Sequence, residues 1–89
     1  MSCYIITYDL KTGSNYSSLH TAIQSYGTWA KITESTWAIV TDEKASSVRD
    51  KLLAVIEKES RLFVVKSAGE AAWSKAMCTS EWLQNNLSK

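Results

Sequence analysis

Thr28-Trp-Ala-Lys-Ile-Thr-Glu-Ser-Thr-Trp-Ala-Ile-Val-Thr41 is the stretch that decides how this chain folds. Residues 28–33 and 35–41 are rich in β-branched and aromatic side chains, and only Glu34 and its neighbours can turn the chain between them, so a β-hairpin is predicted. Immediately upstream, Tyr16, Leu19, Ile23 and Tyr26 recur at helical spacing. Asn15 or Ser14 can cap that helix and Gly27 can close it in a left-handed conformation, which predicts a helix over roughly residues 15–26. Immediately downstream, Thr41 or Asp42 is expected to cap a second helix. Its Ala45, Val48, Leu52 and Val55 or Ile56 line one face, and it should fade near Ser60. Outside the helices lie two further strand-like runs, Cys3-Tyr-Ile-Ile-Thr-Tyr-Asp-Leu10, which reads as a central strand, and Arg61-Leu-Phe-Val-Val-Lys66, each with apolar groups on both faces of the pleat.

A hairpin flanked on each side by a helix and then a strand is the βαββαβ order of an α+β, ferredoxin-like sandwich. Right-handed crossovers put both helices on one face of a four-stranded antiparallel sheet. The expectation is a single domain over residues 1–89, with its core at about 3–67 and a C-terminal segment, 68–89, that loses the strand pattern. In that segment Thr79 or Ser80 should cap a short helix carrying Trp82 and Leu83. The helix-free face of the sheet is itself apolar, and leaving it bare would expose a patch beyond a few hundred Å². Either a second subunit, making a homodimer, or the C-terminal segment with Trp73 and Trp82 should cover it.

Hydrophobic residues make up 45% of the 89-residue chain and charged residues 21%, a balance suited to a packed core and not to disorder. A chain of this length buries only roughly 60–65% of its unfolded surface, so association is a natural supplement to its stability. The ten Lys plus Arg and nine Asp plus Glu are scattered, with a net charge of +1. That lacks the basic stripe from which phosphate-gripping proteins draw most of their affinity. Cys3 and Cys78 have neither metal-ligand spacing nor a disulfide framework around them. No apolar run is long enough to span a membrane and the first residues do not read as a signal peptide, so a cytoplasmic location without membrane partners is expected.

Asp9 is the first candidate for chemistry, because it sets a carboxylate at the end of an apolar central strand beside a Gly-containing loop. Two such strands about a dimer axis could share one Mg²⁺ ion through oxygen ligands, and that ion could activate water. The competing reading has Asp9 bonding backbone amides of the Lys11–Gly13 turn. Trp29 and Trp37 lie on the hairpin, where they can stack on unpaired bases or serve as core and interface anchors. His20 has no Asp, Cys or second His near it in sequence and reads as a surface or half-buried helix residue. Gly13, Gly27 and Gly69 are too isolated to cradle phosphate.

Ile6-Thr-Tyr-Asp-Leu10, Leu19 to Tyr26-Gly27 and Ser35-Thr-Trp-Ala-Ile-Val40 resemble the CRISPR-associated protein 2 superfamily and its virulence-associated protein D relatives. Tyr26-Gly-Thr-Trp29, Ser35-Thr-Trp37, Gly69-Glu-Ala-Ala-Trp73 and Trp82-Leu83 look more closely like small bacterial proteins of the SinR family. The resemblance implies a ferredoxin-like homodimer that handles RNA or duplex DNA, in some members as a metal-dependent endoribonuclease using the strand-end aspartate. Only Asp9 matches that catalytic position. The family's basic residues after the aspartate are replaced by Lys11 and Thr12-Gly13-Ser14-Asn15, and its Ser-Val-Phe segment by Ser35-Thr36-Trp37.

The leading expectation is therefore a nucleic-acid-binding homodimer, with Lys11, Lys31 and Trp37 touching RNA or DNA and Asp9 from both subunits holding Mg²⁺. The alternatives are a non-catalytic module that binds a partner protein, as an antitoxin or accessory subunit does, and a dimer that captures a small nucleotide at its seam.

Overall fold

A computed structural model describes residues 1–11, 13 and 15–89. Thr12, within the expected turn, and Ser14, one of the two expected caps, lie outside the described residues. The element order is β1 (Ser2–Asp9), α1 (Tyr16–Gln24), β2 (Trp29–Thr33), β3 (Thr36–Thr41), α2 (Ala45–Leu53), β4 (Arg61–Lys66) and α3 (Ser80–Asn86). The strands form one antiparallel sheet in the order β2-β3-β1-β4, the arrangement of a small ferredoxin-like α+β fold. β1 is central, pairing with β3 from Ser2 opposite Thr41 to Thr7 opposite Thr36, and with β4 from Tyr4 opposite Lys66 to Asp9 opposite Arg61.

Local chemistry accounts for most element ends. The Asn15 side chain accepts from the Ser17 amide at 2.9 Å, capping α1, and Gly27 at φ +86° lets the chain leave the helix for β2. Thr79 caps α3 through the Trp82 amide at 3.1 Å. The second helix departs from expectation at both ends. Its N-cap is Lys44, with no side-chain bond, because the Thr41 hydroxyl is spent on the Glu43 amide in a tight local turn. It stops at Leu53, well before Ser60.

The pleat divides the apolar residues into two layers. On the helix side, Tyr4, Ile6 and Tyr8 of β1 and Trp37 and Ile39 of β3 pack against Leu19, Ile23, Val48 and Leu52 of the two helices. Those four helical side chains are fully buried, and each such burial contributes about 1.5–3 kcal/mol. On the opposite side, Cys3, Ala38 and Val40 pack against Leu83 and Leu87, ringed by Ile5, Ile32, Trp73, Ala76, Cys78 and Trp82. The C-terminal segment therefore covers this face itself, over β2, β3 and β1. Ser67 fastens it by donating to the Leu87 carbonyl at 2.7 Å, and the Met77 amide straps it to β2 through the Ile32 carbonyl at 2.9 Å. The cover stops short of β4, where Phe63 is 60% and Val65 42% exposed.

Candidate functional site

Period-two alternation sends Tyr8 and Trp37 to the helix side of the sheet, and helical spacing sends Tyr16 and His20 to meet them. The result is a ladder of rings. Tyr16 and His20 have centroids 6.1 Å apart, His20 and Trp37 5.0 Å, and Trp37 and Trp29 5.4 Å. Its middle is fixed by hydrogen bonds. Trp37 Nε1 donates to the Tyr8 hydroxyl oxygen at 3.1 Å, and that oxygen lies 2.9 Å from His20 Nε2 and 3.3 Å from the Glu34 carbonyl. Its ends are open, with Tyr16 49% and Trp29 38% exposed. Lys31 extends its ammonium over the Trp37 ring at 5.8 Å, on the same side of the sheet as Trp29.

Burial drives the His20 pKa down, with Lys31 adding to the effect and Glu34 opposing it. Burial pushes Tyr8 up, against the lowering effect of the Trp37 indole bond. The pair is thus biased towards two neutral groups at neutral pH.

The residues singled out in the sequence fall in separate places. Trp37 is 2% exposed, so it offers no face to a base; it anchors Tyr8 and backs Trp29. Lys31 belongs to the ladder and is 3.6 Å from Glu34. Lys11 lies beyond the end of β1, 3.7 Å from Glu59. Asp9 is exposed at the far end of the β1–β4 ladder and accepts from the Arg61 guanidinium at 3.1 Å. A shallow cavity of about 190 Å³ sits there, lined by Thr7, Asp9, Arg61 and Phe63 among others.

A Mg²⁺ site does not fit these residues within one protomer. Asp9 faces the Arg61 guanidinium where a dication would need further oxygen ligands, and no group of three or more His, Cys, Asp or Glu side chains comes together among the described residues. A second polar cluster stands at the opposite end of the helix layer. There Lys51 Nζ bonds Glu43 Oε2 at 2.6 Å, and the Tyr26 hydroxyl feels the Glu43 carboxylate from outside hydrogen-bond geometry. Burial first and Glu43 second push Tyr26 up to about 12. Both cysteines are free, and burial raises the Cys3 thiol.

The ladder was only partly legible from the sequence. Trp29 and Trp37 stand out on the hairpin, but His20 joins them because α1 crosses back over β1 and β3. The Tyr16–His20 spacing of one helical turn is the signal that links the two aromatic groups on one face. No family model and no curated protein matches the chain.

Proposed function

We propose that the protein binds unpaired segments of RNA or DNA through the open ends of the Tyr16–His20–Trp37–Trp29 ladder, without metal-dependent cleavage. The observation that carries this reading is the exposure of Trp29 and Tyr16 at the two ends of a ring series whose middle is locked. Every nucleobase has a π-face, so such a platform accepts bases with little regard to sequence. Lys31, half-buried beside the rings, supplies one cation for the backbone. The Lys11, Lys31 and Arg61 charges are each offset by an acid, so affinity would come mainly from stacking and its salt dependence would be shallow.

Anisotropy of a labelled single-stranded oligonucleotide at low salt tests the proposal. Stacking is worth about 1–3 kcal/mol per base, so Trp29→Ala should weaken binding about 5- to 150-fold, while Asp9→Ala should change it little. Undiminished binding by a Trp29→Ala, Tyr16→Ala double variant, or no binding by the parent, would refute it.

A different observation favours a second reading, a protein-interaction module that assembles as a homodimer. An uncovered apolar row of the sheet, Phe63 and Val65, lies on an edge strand, where backbone groups are also available for pairing.

A further inference from the structure

We infer that two copies of the chain join edge to edge through β4, antiparallel about a two-fold axis at Val64, into one continuous eight-stranded sheet. This rests on the homodimer reading and specifies its seam.

The two edges of the sheet are treated differently. The β2 edge carries a register shift between Lys31 and Thr33 and the Met77 strap. β4 pairs with β1 in unbroken register over all its residues, has no proline, and is charged only at its termini, Arg61 and Lys66. Bulges, proline and mid-strand charges are how proteins blunt an edge, and β4 has none of them. Its outer side is also open in space. A groove of about 390 Å³ runs there, floored by Leu62, Phe63 and Val64 and walled by Ala45, Ser46 and Arg49 of α2.

The pairing pattern selects the register. The Ser67 amide donates to the Cys3 carbonyl, continuing the β1–β4 ladder, and hydrogen-bonded pairs alternate along an antiparallel ladder. The outward backbone groups of β4 are therefore those of Leu62, Val64 and Lys66. Antiparallel pairing through these groups with the axis at Val64 overlaps the whole strand. It places Phe63 opposite Val65 of the other copy, and Val65 opposite Phe63, so both exposed apolar residues are covered by each other. Lys66 falls opposite Leu62 and Arg61 opposite Ser67, so no like charges stand opposite each other along the paired strands. Lys58 and Glu70, exposed and equidistant in sequence from Val64, are brought to the same side of the axis from different copies, with opposite charge. A seam whose apolar row covers itself and whose flanking charges are opposite is what selects a second copy over a foreign strand. In this seam the two Asp9 carboxylates stand at opposite ends and share no ion.

Light scattering and cysteine cross-linking on the full chain in a Cys78→Ser background test the seam. The parent should have twice the chain mass, and Val65→Lys, at a position exposed in the protomer, should halve it with an unchanged circular dichroism spectrum. Residues facing each other in a non-hydrogen-bonded pair have Cα atoms about 4.5 Å apart, within disulfide range. A mixture of Phe63→Cys and Val65→Cys chains should therefore cross-link on oxidation, whereas each variant alone should not. A dimer that survives Val65→Lys, or single variants that cross-link as well as the mixture, would overturn the β4 seam and leave the homodimer standing. A monomer at high concentration would remove both.

Discussion

Tyr8 has one hydroxyl proton and sits between three partners: the Trp37 indole, which donates to it, and His20 and the Glu34 carbonyl, either of which can receive its proton. Removing the hydroxyl strands the indole N–H of a residue that is almost wholly buried. Tyr8→Phe should accordingly cost about 1–3 kcal/mol in chemical denaturation, the penalty of an unsatisfied buried donor. His20 adds a pH dependence. Its pKa is lowered in the folded chain, so the unfolded state takes up a proton first as the pH drops. The stability His20 confers is present above its unfolded pKa of about 6.5 and is lost as the pH falls through its lower folded value. Urea titrations below neutrality should show this slope flattened in His20→Gln, and an equal slope in both proteins would show that the ring does not titrate against folding.

At the level of elements, Gly27 shows how backbone conformation alone can set a connection. Its φ of +86° turns α1 into the hairpin, yet a Cβ there would meet nothing within 4 Å. Gly27→Ala should therefore destabilise by about 1–2 kcal/mol through left-handed strain alone, read as a lower denaturation midpoint with an unchanged slope. Gly69, at φ +95°, differs, because a Cβ would also come 3.3 Å from Ser88 Oγ and press on the returning C-terminal segment. Element types were readable because periodicity is local: β4 has the residue range its apolar run marks, and Asn15 and Thr79 cap as their chemistry suggests. The α2 boundaries were not, since Thr41 and Asp42 are good caps in isolation and only the turn geometry commits Thr41 to Glu43.

For the whole molecule, the decisive fact is that residues 68–89 return across the helix-free face of the sheet. Cys3, Ala38 and Val40 are buried by Leu83 and Leu87, which removes most of the pressure for a face-to-face dimer and leaves Phe63 and Val65 of β4 uncovered. Truncation after Lys66 should expose that face, and the shortened chain should bind a hydrophobic dye and associate beyond a dimer in light scattering. A monodisperse, dye-silent fragment would show that the cover is dispensable.

Period-two and helical spacing, a hairpin between two helices, and caps of the right chemistry together determined the βαββαβ order and its α+β class, because each depends only on neighbours along the chain. Asp9, Lys31 and the tryptophans were visible as unusual residues for the same reason. Tertiary structure alone decided what they touch. It turned Arg61 onto Asp9, buried Trp37 under His20, left Trp29 open, and chose the C-terminal segment as the cover of one face. Those outcomes depend on contacts between residues far apart in sequence, whose pairing is set by strand order and crossover direction and by no local pattern.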